Sequence, residues 1–348
     1  MRTDALRVDG SLSHFRVLMV GESRVCRFAA DILAGLGAQL VPDVDSEHPV
    51  LHTIERPSAA RNAVFGPPGV DAVIVVASAR QAAAAGLDGE SCLQTNPRLV
   101  YAHIDEGEPQ FAVTVDGHPE TSTDALVAAS FGAVLGFSDP GEPRPVELPI
   151  SDFATALALA LSVVASLVKA GTASASSVIQ LSPPDASTLL TVDAITQAMV
   201  DGQDVSRVSR HRWGQLFVAE CACGSGLTVQ LSSSQAFWTR LAATLGRSDL
   251  TQLPQFLTYH DRVRNYSELS EIISAEMARR TAATWAEMLE TADVPFAPFL
   301  TPAQALAHPQ ADALELNDPD CVPSGSSLLR PLRFDGRRPT ARRRRSLT

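Results

Sequence analysis

The sequence is short of positive charge. Against 39 Asp and Glu it carries 28 Lys and Arg, a formal net charge of −11, which excludes a surface built chiefly to neutralise nucleic-acid phosphates. Aromatics are scarce at 5%, and the five cysteines (Cys26, Cys92, Cys221, Cys223, Cys321) are odd in number and irregularly spaced, so no disulfide framework is expected. With no secretory signal read at its N-terminus, the chain is expected in a reducing cytoplasm. The first strand-to-helix turn, Gly21 to Arg24, lacks G-x-G-x-x-G, so a dinucleotide site does not follow from it. No G-x-x-x-x-G-K-[ST] is present, which excludes a P-loop NTPase, and no G-x-S-x-G elbow supports a hydrolase. His48 and His52 are four apart, but Pro49 breaks the helix that would align them and no H-E-x-x-H occurs, so no metal is expected. The longest apolar run, Phe153 to Val168, falls short of the roughly 20 residues of a membrane span and is interrupted by Thr155, Ser162 and Ser166.

What is present points to an α/β fold. Phe15–Val20 is a short apolar run, followed by an amphipathic stretch with Phe28, Ile32 and Leu33, a stop at Gly37 and a second strand at Leu40–Val41. Two more buried strands are expected at Val70–Ser78 and Arg98–Ile104, with alanine-rich helix between them, and so a parallel sheet. Residues Gly171–Ser177 form a small-residue linker, and a helix is expected over Asp185–Val200. From Trp213 the pattern changes to a β-hairpin turning at Gly224–Gly226, with Cys221 and Cys223 on a strand whose alternation sends both thiols to one side. Asn265 with Glu268, and Thr284 with Glu287, are candidate capping boxes. At 348 residues two domains are expected, a Rossmann-like large domain over 1–204 and a smaller one over 205–318. Residues 319–348 return to the large domain and end in a basic tail.

The stretch "PISDFATALALALSVVASLVKAG" sets one acid, Asp152, before a helix apolar on every side, with Phe153, Leu157, Leu161, Val164 and Val168 on one stripe and Ala156, Leu159, Val163 and Leu167 on another. Such a helix is expected to be buried. Ser151 or Asp152 is placed to cap its N-terminus, which alone would account for the residue type. A carboxylate there also meets the positive end of the helix dipole and stays ionised, while apolar neighbours strip its hydration and make it more nucleophilic. One acid can do both.

The C-terminal pattern "FWTRLAATLGRSDL", "PQF", "RVRNYSELSEII" and "RTAATWAEMLETADVPFAPFLTPAQALAHPQ" resembles the class III CoA-transferase family, which includes formyl-CoA transferase, carnitine CoA-transferase and the α-methylacyl-CoA racemases. Trp238, Gly246-Arg247, Asp249, Asn265, Trp285, Val294-Pro295 and His308-Pro309 carry the match in order. "FAADILAGLGAQLV", "NPRLVYAHI" and "DALVAASFGAVLGF" extend it into the first half. The resemblance places the catalytic aspartate at Asp152. It implies an acyl-CoA thioester and a carboxylic acid as substrates, no permanently bound cofactor and an interlocked homodimer; the charge balance and the short apolar run add that neither nucleic acid nor membrane is expected as partner. An aspartyl-CoA thioester is the implied intermediate.

The chain departs from the family at the CoA-contacting turn, which reads Val25-Cys26-Arg27, and at the nucleotide clamp, which reads "VVASAR" over Val75–Arg80. Ser23, Arg24 and Val25 at the first turn and Arg80 at the second are the expected CoA contacts, with Arg24, Arg27 and Arg80 supplying charge for phosphates. Two alternatives stay open. The chain could be a non-catalytic relative kept as a dimer partner or scaffold, or a racemase using Asp152 with His118, although the family's racemase histidine falls at Thr123, before Asp124.

Overall fold

A computed structural model of the chain describes residues 11–21, 23–41, 69–104, 114–115, 118–119, 149–173, 176–202 and 209–314. The chain divides into two compact units, one holding the described residues up to Thr196 and from Pro309, the other those from Gln197 to His308. His48, His52, Thr123, Asp124, Cys321 and the basic tail lie outside the described residues.

The first unit is built on β1 (Arg16–Val20), β2 (Gln39–Leu40), β3 (Ala72–Val76), β4 (Val100–Ile104) and β7 (Ser177–Leu181), all parallel in the order β2-β1-β3-β4-β7. A short antiparallel ribbon, β5 (Thr114–Val115) and β6 (His118–Pro119), pairs Val115 with His118. Strands β1, β3 and β4 are buried on both faces, as largely apolar strands between two layers of helix are. One face is covered by α1 (Arg24–Gly35) and α4 (Ile150–Ala173), which pack on Val17, Met19, Ile74, Val76, Ala102 and Ile104. The other is covered by α2 (Ala79–Ala85) and α3 (Gly89–Thr95), which pack on Leu18, Val20, Val73, Val75 and Tyr101. The Tyr101 hydroxyl, carried into that core, donates to Leu87 O at 2.9 Å. Strand β7 falls at the end of the stretch read as linker. It was hidden because its residues are only half covered and alternate with exposed ones, as at a sheet edge.

Helix α4 is not buried all round. Ala156, Leu159, Ala160, Val163 and Leu167 are buried against α1 and the sheet, whereas Phe153, Leu157, Leu161 and Val168 are exposed, Leu161 to 71%. A helix laid on one side of a sheet covers one stripe, and among the described residues the second is covered only in part, at Val164 and where Phe153 meets Phe28. The helix runs beyond the apolar segment to 24 residues, so by length and hydropathy it could cross a bilayer; its packed stripe makes it a layer of this unit.

The second unit follows α5 (Pro183–Asp201), which begins in the first, and α6 (Ser209–Gly214). Its antiparallel sheet has the order β10-β9-β8, from β8 (Leu216–Glu220), β9 (Gly226–Gln230) and β10 (Phe296–Pro298). Helices α7 (Gln235–Thr244), α8 (Tyr259–Arg264), α9 (Tyr266–Met277) and α10 (Ala282–Thr291) surround a core with Trp238, Phe256, Leu269, Ile273, Trp285 and Leu289. Arg262 is fully buried, its guanidinium 5.2 Å from the Trp238 ring centroid, with Nη1 donating to Gln235 Oε1 at 3.0 Å and to Phe256 O at 3.2 Å.

Three local expectations in this unit do not hold. Asn265 makes no side-chain cap for α9; its Nδ2 donates instead to Gln255 O and Asp261 O, tying the preceding turn. The cap of α10 is Thr281, whose Oγ1 accepts from Thr284 N–H, so Thr284 lies inside the helix rather than at its start. Cys221 and Cys223 do not share one side of a strand: β8 ends at Glu220, Cys221 is buried and Cys223 is exposed, because the turn at Gly224 (φ 76) ends the alternation.

Cys223 Sγ accepts from Ala282 N–H at 3.4 Å, and N–H groups of Ala282 and Ser225 hold its thiol below the usual range. Burial pushes Cys221 up, and Cys92 up to about 11. Iodoacetamide at pH 8 is therefore expected to modify Cys223 ahead of Cys26, Cys92 and Cys221, as read by peptide mass mapping. Equal labelling of Cys92 would contradict this.

Candidate active site at the carboxyl edge of the parallel sheet

Gly21, with φ +142, leaves β1 so close to β3 that a Cβ on it would lie 2.5 Å from Val76 O. The chain then reaches Ser23, whose Oγ accepts from Cys26 N–H at 3.4 Å and caps α1. On the neighbouring strand, Val76 leads through Ala77 to Ser78, which forms a capping box with Gln81 at the start of α2. The helices that follow β1 and β3 go to opposite faces of the sheet. This is the topological switch point, and the carboxyl edge there is where open α/β sheets hold their ligands.

His103 fastens the second of these loops. It is a buried polar residue near the end of β4, and its Nε2 lies 2.9 Å from Ala77 O, while Ala77 N–H donates to Ile104 O at 3.1 Å. The strand was expected from the sequence, but nothing there set this histidine apart except that it is a polar ring inside an otherwise apolar run.

Helix α4 runs back along the sheet, so its N-terminus reaches the same edge. Neither Ser151 nor Asp152 caps it, because the helix already begins at Ile150; Asp152 sits inside the first turn. It precedes Ala156 and Leu159 by four and seven residues and so shares their inward face. The Thr155 hydroxyl donates to Ser151 O at 2.7 Å within the same buried turn. One residue on, the Phe153 ring stacks on Phe28 of α1, centroids 4.1 Å apart and planes 7° from parallel. Arg24, one helical turn before Phe28, is thereby brought to Asp152, with Nε 3.2 Å from Oδ2. The carboxylate side chain is 17% exposed and the guanidinium 53%. The helix N-terminus and the guanidinium both place positive charge beside the Asp152 carboxylate.

Of the residues expected to contact CoA, Ser23 caps α1 and Arg24 and Val25 open it, Arg24 against Asp152, and Arg80 lies exposed in the first turn of α2 at the same sheet edge. Val25 has its side chain buried, so only its backbone is available to a ligand. Arg24, expected on a phosphate, is paired with Asp152. His118 lies on the ribbon of β5 and β6. Among the described residues no group of three or more His, Cys, Asp and Glu is arranged to hold a metal ion.

Comparison with known proteins agrees with this architecture. Among solved structures, the chain is similar to a CAIB/BAIF family protein from Brucella suis, with a TM-score of 0.77 at 19% identity over 96% of this chain and 95% of that one. It is also similar to the orthorhombic form of Rv3272 from M. tuberculosis, with a TM-score of 0.72 at 20% identity over 95% of each. At these identities the likeness shows the fold. In sequence, the chain is 23% identical over 256 residues to the acetyl-CoA:oxalate CoA-transferase of Acetobacter aceti, covering 72% of this chain and 64% of the relative. It is 24% identical over 216 residues to the probable fatty acyl-CoA transferase Rv3272 of Mycobacterium tuberculosis, covering 59% and 54%. The chain thus spans under two thirds of the length of these curated relatives. The model of CoA-transferase family III matches residues 68–326, from just before β3 to beyond the second unit. Since that span takes in well over half of the sequence, the chain belongs to CoA-transferase family III.

Proposed function

We propose that this chain moves CoA between an acyl-CoA thioester and a carboxylic acid, with Asp152 as the nucleophile. The supporting observation is the setting of Asp152: the first turn of an apolar helix, largely shielded from water, against the Arg24 guanidinium and at the carboxyl edge of the sheet. A carboxylate is a weak nucleophile when fully hydrated, and partial desolvation with fixed dipoles is the available means of activating it.

On this reading a carboxylate oxygen of Asp152 attacks the thioester carbonyl of the donor, the C–S bond breaks and CoA departs as thiolate. The thiolate then attacks the aspartyl carbonyl of the mixed anhydride, releasing the donor acid and leaving Asp152 as a CoA thioester. The acceptor carboxylate attacks that carbonyl, expelling the thiolate again, and the thiolate attacks the acceptor's carbonyl to give the new acyl-CoA and the original Asp152 carboxylate. Ser23, the Val25 backbone and Arg80 are the proposed CoA contacts. Hydroxylamine added with an acyl-CoA is expected to convert Asp152 to its hydroxamate, read by mass spectrometry of the peptide. Absence of the adduct with donors of several chain lengths, together with no heat on titrating free CoA, would overturn the reading and favour a scaffold that keeps only the fold.

The working form on this reading is a homodimer. The exposed stripe Phe153, Leu157, Leu161 and Val168 belongs to the helix that bears Asp152, and covering the part of each side chain still exposed is worth about 1 kcal/mol apiece, so a second copy is its proposed cover. Leu161→Glu is expected to turn a dimer into monomer or aggregate in analytical ultracentrifugation. A wild-type chain that sediments as a monomer at micromolar concentration would refute the dimer.

A further inference from the structure

The Arg24–Asp152 pair leaves half of the guanidinium unused. Arg24 meets Asp152 Oδ2 through Nε at 3.2 Å, its side chain is 53% exposed, and among the described residues no acceptor takes Nη1 or Nη2. Those two nitrogens present a pair of parallel N–H groups in the geometry that receives one carboxylate. A phosphate is a poor occupant of this position. The pantetheine arm separates the reactive sulfur of CoA from its diphosphate, so a cation touching the nucleophile lies where the thioester must come and away from the phosphates.

We propose that Arg24 is a two-carboxylate clamp, its Nε edge positioning Asp152 and its outer edge taking the carboxylate of the acceptor acid. The inference rests on the CoA-transfer reading and adds to it the residue that receives the second substrate. It also gives an order of events. While Asp152 is ionised, it neutralises Arg24 and repels a second anion nearby. Once Asp152 is acylated, as the mixed anhydride and then as the thioester, that negative charge is gone and the cation is left to a free carboxylate, so the acceptor is taken up only after Asp152 has reacted. The acceptor is then held with an oxygen beside the aspartyl carbonyl carbon that it attacks, and CoA departs as thiolate. A monocarboxylate is sufficient, because the clamp offers one fork.

Asp152→Asn gives a neutral side chain of the same shape and so imitates the acylated state without any substrate. Trifluoroacetate, followed by 19F line broadening, serves as the carboxylate probe. The Asn variant is expected to bind it about tenfold more tightly than the wild-type chain, in line with one charge-assisted pair. Adding Arg24→Gln is expected to abolish that gain, and Arg24→Lys, which keeps the charge without the fork, to retain only part of it. Equal binding by wild type and Asp152→Asn, or a gain that survives Arg24→Gln in protein with an unchanged circular dichroism spectrum, would overturn the clamp. The CoA-transfer reading is tested separately by the hydroxamate on the wild-type chain. An adduct there with no Arg24 effect on the probe removes the clamp alone, and no adduct removes the reading on which it rests.

Discussion

Asp152→Asn is expected to reduce CoA transfer by on the order of a thousandfold or more and to abolish the hydroxamate at position 152, while leaving the fold intact. Asparagine matches the shape of aspartate but cannot form the anhydride, so both half-reactions lose their covalent route. The structural cost is small. The pair with Arg24 joins a 17% exposed carboxylate to a guanidinium more than half exposed, and such a pair contributes at most about 1 kcal/mol once solvent screening is counted. Free CoA is accordingly expected to bind the variant within a few-fold of wild type by calorimetry, because Ser23, Val25 and Arg80 are untouched. Transfer that survives the substitution would show that the acid is a positioning group and that the nucleophile lies elsewhere. Asp152→Glu offers a second readout: it keeps the charge but moves it by one methylene, and a misplacement near 1 Å costs roughly a hundredfold in an oriented reaction.

The sheet was legible because its inner strands are apolar runs, Val17–Val20 and Ala72–Val76 unbroken and Val100–Ile104 interrupted only by His103, and sequence pattern reports burial on both faces directly. Strand β7 was not, because an edge strand needs only one neighbour and carries a weaker pattern. The composition of α4 said that many of its residues avoid water; it did not say whether its own chain or another supplies the cover. That distinction depends on which other segments reach the helix, and no local pattern encodes it.

The residues that carried the family resemblance in the C-terminal half prove mostly architectural. Trp238, Trp285 and Val294 are core residues; Gly246 takes a φ of +74 after α7; and Arg247 grips Asp249 with two hydrogen bonds of 2.9 and 2.8 Å while reaching Glu276. They identify the fold because the fold needs them. The chemistry proposed for the candidate site rests on Arg24 and Asp152, which are remote in sequence and meet where Phe28 and Phe153 stack α1 on α4. An arginine and an aspartate that far apart give no pattern to read, and the sequence accordingly suggested a phosphate for Arg24.

Gly21→Ala is expected to destabilise the first unit by about 3 kcal/mol, combining strained backbone with overpacking. At φ +142 the position is nearly restricted to glycine, and the added methyl would stand 2.5 Å from Val76 O and 2.9 Å from Val76 Cβ. Neither atom can swing aside. Val76 belongs to β3, paired to β1 on one side and β4 on the other, with its side chain in the core shared with α1 and α4. Relief would have to come from the loop itself, which would move Ser23 and Arg24 and pull the guanidinium from Asp152. The variant is therefore expected to show two effects together: a lower thermal midpoint for the first unit, by roughly 6–12 °C for a unit of this size, and loss of transfer at temperatures where circular dichroism still reports folded protein. Serine at the same position should behave like alanine, since the obstacle is the Cβ itself. An unchanged midpoint with full activity would mean that β1 and β3 do not approach this closely at the switch point, and the site built on that approach would have to be redrawn.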